Sequence, residues 1–203
     1  MLVNMNPVKV LKNSINAEDA QRIIDYINKN QEHFHTGPKK LKFTKMFGKD
    51  NLNKERSEQV IYGIDEIENI IKEIVSFAIK SISSEFEENE DLYLAGLWFA
   101  KQLPGSAIEL HRDIEEGVNA QYEYSVLLYL HTPSKSAPLD FPLIELKIMP
   151  ELGDIIMFKS GNPDCSHDIK YINEDRYSIP MWFTKDPDYA LNFAGEVKID
   201  PSS

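Results

Sequence analysis

A chain of 203 residues with a formal net charge of −11, 42% hydrophobic residues and one cysteine suits one ordinary globular domain. That charge works against nucleic acid, which is bound mainly through Lys and Arg, and the lone Cys165 excludes an internal disulfide and fits a reducing, cytoplasmic setting. No apolar run reaches the roughly 18 residues of a membrane span and the first residues lack the pattern of a secretory signal, so neither membrane nor nucleic acid is expected as a partner.

Residues 8–11 alternate weakly and suit an edge strand. Asn16, with Asp19 three residues on, reads as a helix N-cap, and Ala20, Ile23, Ile24 and Ile27 then recur at helical spacing, which predicts a supporting helix over 17–30. His33 and His35 precede the turn signal Thr36-Gly37-Pro38 and have no carboxylate in matching phase, so they are read as solvated or packed side chains. Residues 37–56 are rich in Lys, Asn and Gly without a period, which predicts a long loop of the kind that covers binding sites. A second stripe, Ile67, Ile70, Ile71, Ile74, Phe77, Ala78 and Ile82, predicts an amphipathic helix over 64–82. Both helices need an apolar surface, and the back of a sheet is the obvious one.

After an acidic connector the period drops to two. Strands are expected at 92–102, 107–111, 122–131, 143–149, 154–159, 168–172 and 177–184, a spacing that describes a sandwich or small barrel. Residues 186–203 lose periodicity and read as a tail with at most a short strand at 196–199. The fold class is therefore mainly β with helical support (α+β), a jelly roll in one domain: helical support and loop over 1–91, the β core over 92–185, the tail over 186–203.

In an extended strand alternate residues share a face, so His111 and Asp113 can grip one ion together. The third ligand is expected from His167, just past the apolar strand at 154–158. Two imidazoles and a carboxylate on one face, with the opposite face open, suit non-haem Fe(II). Cys165 lies two residues before His167, but iron of this kind is held by nitrogen and oxygen, so the thiol is read as a small residue in a tight loop. Nine residues beyond His167, Arg176 and Ser178 share a strand face and offer a guanidinium fork and a hydroxyl to one carboxylate. Tyr129 is in phase with Ser125, Leu127 and His131, which gives that strand a polar face suited to lining a pocket.

This ordered set resembles the iron- and 2-oxoglutarate-dependent dioxygenases, most closely the prolyl-4-hydroxylase-like branch. The matching features are His111-x-Asp113, the distal His167, and Arg176 with x-Ser178 behind it. Flanking them are Leu103-Pro104-Gly105, Leu127-Leu128-Tyr129-Leu130-His131, the run at 153–158 and Trp182-Phe183. The motifs span about residues 92–184. The resemblance implies a double-stranded β-helix (cupin-like jelly roll), Fe(II) held by His111, Asp113 and His167, and 2-oxoglutarate as co-substrate. Its distant carboxylate is expected at Arg176, with Ser178 and Tyr129 adding hydroxyls and Tyr122 and Tyr124 as alternates for the tyrosine. O2 is the oxidant, ascorbate the expected reductant, and 37–56 a substrate-covering loop. The implied reaction hydroxylates a C–H bond and releases succinate and CO2, with a prolyl residue of a peptide or protein as the leading substrate. One residue departs from the pattern: Gln102 stands where many relatives carry tyrosine.

Two alternatives keep the fold. One is the same chemistry on a free amino acid or other small molecule, distinguished by the width of the groove built from 36–56, 114–121 and 132–142. The other is a metal-binding jelly-roll module without catalysis, against which a guanidinium beside a metal speaks, since it has no use there without a co-substrate. A nucleic-acid demethylase would resemble a pattern with a second arginine six residues past Arg176, where this chain has Trp182.

Overall fold

Asn16 opens the first helix: its side-chain oxygen accepts from the Asp19 N–H at 2.8 Å. Helix α1 (Ala17–Lys29) follows and buries Ala20, Ile23, Tyr26 and Ile27. The computed structural model describes residues 6–30, 35–36, 41–47, 59–61, 64–114, 119–134 and 138–193, with the backbone alone for 35–36, 41–47, 59–61 and 192. Helix α2 (Glu68–Glu85) starts later than its apolar stripe, because Ile67 at the N-cap has no side chain able to accept a hydrogen bond. Ile64 and Ile67 are nevertheless buried in the approach to it. Among the described residues no helix is long and apolar enough to cross a membrane.

The helices contribute Ile23, Ile27, Ile71, Ala78 and Ile82 to a core shared with Val126, Leu128, Ile179, Met181 and Phe183. Each fully buried isoleucine contributes roughly 1.5–3 kcal/mol. Truncation also leaves a void, so Ile71→Ala should lower the unfolding free energy by about 2–5 kcal/mol. A urea titration measures it, and a loss below about 1 kcal/mol would mean that α2 is not held through this face.

The strands in chain order are β1 (Val8–Leu11), β2 (His35–Thr36), β3 (Leu41–Phe47), β4 (Gln59–Ile61), β5 (Tyr93–Leu97), β6 (Phe99–His111), β7 (Tyr124–Tyr129), β8 (Leu139–Phe141), β9 (Leu146–Ile148), β10 (Ile155–Lys159), β11 (His167–Ile169), β12 (Arg176–Thr184) and β13 (Leu191–Phe193). The main path runs β1-β10-β7-β12-β6-β11-β8-β9, with β5 also on β12 and β3 also on β6. This curled antiparallel sheet, with two helices on one face, is the jelly roll, or double-stranded β-helix, that the strand pattern predicts.

Strand β6 makes the corner. Its first part pairs with β12, Gln102 opposite Arg176, and its last part with β11, His111 opposite His167. Between them Gly105 takes φ +85°, a conformation that a side chain would strain. Its N–H donates to the Ile172 carbonyl at 2.7 Å, and the Ser106 hydroxyl donates to the Leu103 carbonyl at 2.6 Å. Pro104 has no N–H to withdraw from a ladder. One strand thereby serves both layers.

Strand phase then separates two environments. On β7, Tyr124, Val126 and Leu128 join the helix-facing core, while Leu127 and Tyr129 join a second cluster with Phe141, Ile156, Phe158 and Ile169. Arg176 and Ser178 alternate with Tyr177 and Ile179 in the same way. The interior between the layers therefore carries Arg176, Ser178 and Tyr129, while Tyr177 and Ile179 face the helices.

Several expectations are corrected. The predicted break at Pro104-Gly105 is a bulge inside β6, and the interruption falls at Trp98, whose N–H still donates to the Pro180 carbonyl at 2.9 Å. The single strand expected over 143–149 is half of a hairpin: a 3-10 turn at Pro142–Ile144, with Glu145 at φ 54°, reverses the chain between β8 and β9. Residues 41–47, expected as loop, form β3 on β6. Their alternation is broken because the register slips between Lys42 and Thr44, opposite the β6 bulge. Within the expected tail, β13 pairs in parallel with β4. The strand expected at 196–199 and the rest of the 37–56 loop lie outside the described residues, as does His33.

Candidate active site

His111 ends β6 and His167 opens β11 directly opposite, so the ladder sets their imidazoles side by side, ring centroids 4.4 Å apart. Asp113 lies two residues past the strand with its side chain 8% exposed. Its Oδ1 stands 3.4 Å from His111 Nε2 and 4.0 Å from His167 Nε2. One ligand atom from each of the three residues lies within 4.8 Å of the others.

The surroundings orient these groups for a cation. His111 Nδ1 is 2.9 Å from the Glu109 carbonyl and His167 Nδ1 is 3.0 Å from the Cys165 carbonyl. A carbonyl only accepts, so each ring carries its proton on Nδ1 and turns Nε2 toward Asp113. Phe158 and Phe141 flank the His167 ring at 5.0 and 5.5 Å. Burial holds the His167 imidazole below its usual range and so favours the neutral, ligating form. Burial alone would raise the Asp113 carboxyl. The contact with His111 and the charge of the two nearby imidazoles, when they are protonated, outweigh it and hold that carboxyl well below the ordinary range. Two neutral nitrogens and one ionised carboxylate fit Fe(II). Cys165 is buried, its thiol pushed up to about 11 by desolvation, and it takes no part in the cluster.

A second polar group stands on the other wall. Arg176 is fully buried, and its Nη2 donates to the Tyr129 hydroxyl at 2.8 Å. Directly opposite residues on paired strands share a face. Gln102 is therefore on the same face as Arg176, and Ser178 on the same face as Tyr129. Gln102 is 4% exposed, and its Oε1 has no hydrogen-bond partner among the described residues. Leaving such an atom unpaired costs about 1–3 kcal/mol, a cost that a polar ligand would remove. A guanidinium with an adjacent hydroxyl and amide fits a carboxylate, as 2-oxoglutarate carries.

Neither a sequence-family profile nor a curated protein matches this chain. Solved structures do. A viral collagen prolyl hydroxylase from Paramecium Bursaria Chlorella virus-1, in a 2OG complex, aligns with TM-score 0.67 and 15% identity over 91% of this chain and 98% of its own. A Pseudomonas putida prolyl-4-hydroxylase aligns with TM-score 0.67 and 15% identity over 89% and 93%. A Trichoplax adhaerens prolyl hydroxylase, in complex with a hypoxia inducible factor oxygen degradation domain peptide fragment, aligns with TM-score 0.67 and 16% identity over 97% and 90%. The chain has the 2OG-Fe(II) oxygenase fold.

Within this oxygenase fold the tyrosines separate. Tyr129 meets Arg176, whereas Tyr124 faces the helices and donates to Glu88 at 2.8 Å. Tyr122 stacks on Trp182, ring centroids 5.6 Å apart, and its hydroxyl is pushed up to about 12 by burial and by Asp113. His131, expected in the pocket phase, lies past the end of β7 and packs on Tyr177. Of His35 only the backbone is described, and the groove segments 37–40, 48–56, 115–118 and 135–137 lie outside the described residues.

The sequence reading missed an aromatic wall beside Asp113. Trp98 meets Trp182 edge-on at 4.7 Å, and Ala95, Tyr122 and Ile114 complete the cluster. Gly96 leaves room for it: a Cβ there would lie 2.9 Å from Trp182 Cε3. The indole Nε1 of Trp182 is buried with no hydrogen-bond partner among the described residues. Tyr122 lies just before β7 and Trp182 on β12, with no motif joining them, so only the fold unites them.

Proposed function

We propose that this chain is an Fe(II)- and 2-oxoglutarate-dependent dioxygenase that hydroxylates a prolyl residue in a peptide or protein. The observation that carries this reading is the convergence of His111, Asp113 and His167 within one interior that also holds the buried Arg176–Tyr129 pair. When bound, Fe(II) supplies the activation of O2 that couples conversion of 2-oxoglutarate to succinate and CO2 with insertion of one oxygen atom into a C–H bond.

The protein's part is positioning. His111, Asp113 and His167 would hold the ion by one face and leave about one positive charge to attract a dianionic co-substrate. Arg176 would receive the distant carboxylate, with hydroxyls from Tyr129 and Ser178 and the amide of Gln102 beside it. The cluster of Phe141, Ile156, Phe158 and Ile169 keeps the intervening space dry, which strengthens each charge-assisted contact.

The wall of Trp98, Tyr122 and Trp182 supports a prolyl substrate over a free amino acid. Aromatic faces suit a compact apolar ring, and a backbone carbonyl beside that ring would accept from Trp182 Nε1. The test incubates the full chain with Fe(II), ascorbate and 2-oxoglutarate against proline-containing peptides and against free amino acids. Succinate release with a gain of one oxygen on a peptide prolyl residue is expected. Oxygen gained only by free amino acids would replace the substrate class, and absence of succinate under every condition would overturn the oxygenase reading.

A further inference from the structure

Asp113 is the one member of the triad that no strand ladder holds. His111 and His167 are fixed by pairing between β6 and β11, whereas Asp113 lies two residues beyond the last paired residue of β6. A carboxylate on an unpaired segment can swing, and a metal site needs it in one place. The restraint comes from the next residue. Ile114, half-buried, packs against the aromatic wall, the cluster of Ala95, Tyr122 and Trp182. Its Cδ1 also reaches Gly161, two residues past β10, where an added Cβ would lie only 3.4 Å away.

The wall itself is held by the ladders. Trp182 of β12 stands opposite Gly96 of β5 on one side and Ser125 of β7 on the other. Tyr122 stacks on its indole with the ring planes 17° apart, and Trp98 meets the same indole edge-on. A side chain seated on this surface is therefore seated on fixed ground. Isoleucine is stiff at χ1, so fixing its side chain also fixes its own backbone. One planar peptide unit then carries that restraint to the Cα of Asp113.

Resting on the metal reading above, we infer that Ile114 is a positioning residue: seated against the aromatic wall and Gly161, it fixes the backbone that carries Asp113 and so sets the affinity of the metal site. It is no ligand itself and acts only through Asp113. The wall on which a prolyl ring is proposed to sit and the carboxylate of the metal site are thereby one mechanical unit.

The test titrates the metal-free full chain with Co(II) alone and follows both the affinity and the visible ligand-field spectrum, with a urea titration of each variant to show that it folds. Outer partners of metal ligands are worth roughly 10–100-fold in affinity, and a packing contact belongs at the lower end, so Ile114→Ala should weaken Co(II) binding by about 10-fold with an altered spectrum. Ile114→Val keeps the branch at Cβ and should lose less than about threefold. Trp182→Ala removes the main face of the wall and should weaken Co(II) binding by about 3–10-fold, but by less than about twofold once Ile114 is alanine. Parent affinity and spectrum in a folded Ile114→Ala, as large a loss in Ile114→Val as in Ile114→Ala, or an equal loss from Trp182→Ala in both backgrounds would each overturn this role while leaving the metal site standing. A parent chain that binds no Co(II) would overturn the metal reading, and the role of Ile114 with it.

Discussion

Asp113→Ala should abolish binding of Co(II) and Fe(II) to the whole chain and, with it, conversion of 2-oxoglutarate to succinate. Asp113 is the anionic donor among three ligand groups lying within 4.8 Å of one another. Without it a divalent ion would face two imidazoles, of which burial favours the neutral form at His167, with nothing to offset its charge. An outer partner of a metal ligand is already worth roughly 10–100-fold, so loss of a direct ligand should exceed that. The chain should still fold. The substitution removes one side chain past the end of β6, and the helix-facing core is untouched. Asp113→Asn separates charge from shape: it keeps the volume but removes the anion, and should lose metal almost as fully. Metal affinity within about threefold of the parent in Asp113→Ala, with an unchanged unfolding curve, would remove this carboxylate from the site.

What the sequence made legible follows from locality. Period-two alternation fixes which neighbours share a face, so Arg176 with Ser178, and Ser125 with Leu127 and Tyr129, could be grouped before any coordinates. The N-cap at Asn16 was legible for the same reason, since its partner Asp19 is three residues away. Pairings that depend on distant partners were not. Strands β4 and β13 are three residues each and pair in parallel from opposite halves of the chain, and β3 loses its alternation where the register slips beside the β6 bulge. The same bulge read as a strand break, because Pro104 and Gly105 signal interruption locally while the fold uses them to carry one strand around a corner. The contact between Ser125 and Ser160 had no local signal: Ser160 lies past the end of β10, and only the approach of β10 to β7 brings the two hydroxyls to 2.7 Å.

Arg176→Met should raise the dissociation constant for 2-oxoglutarate by about 100-fold or more while moving Co(II) affinity by less than about twofold. Arg176 is fully buried and donates to Tyr129 at 2.8 Å, with its Cζ 4.8 Å from the centroid of that ring. A hydrogen bond to a charged group contributes about 1.5–3 kcal/mol, and a guanidinium can offer two in parallel to one carboxylate. At about 1.4 kcal/mol for each tenfold, a loss of two or more orders of magnitude follows. Methionine is the informative replacement because it nearly keeps the volume. Alanine would add a cavity beside Tyr129 and confound binding with packing. Arg176→Lys retains a positive charge but not the planar fork, so its binding should fall between the two. The split between co-substrate and metal is what identifies the role. Arg176 reaches the interior from β12 beside Gln102, whereas the proposed metal ligands come from the other end of β6 and from β11. A residue that merely supported the fold would weaken both affinities together. Equal loss of Co(II) and 2-oxoglutarate in Arg176→Met would therefore assign Arg176 to the scaffold and leave the carboxylate pocket to be sought elsewhere.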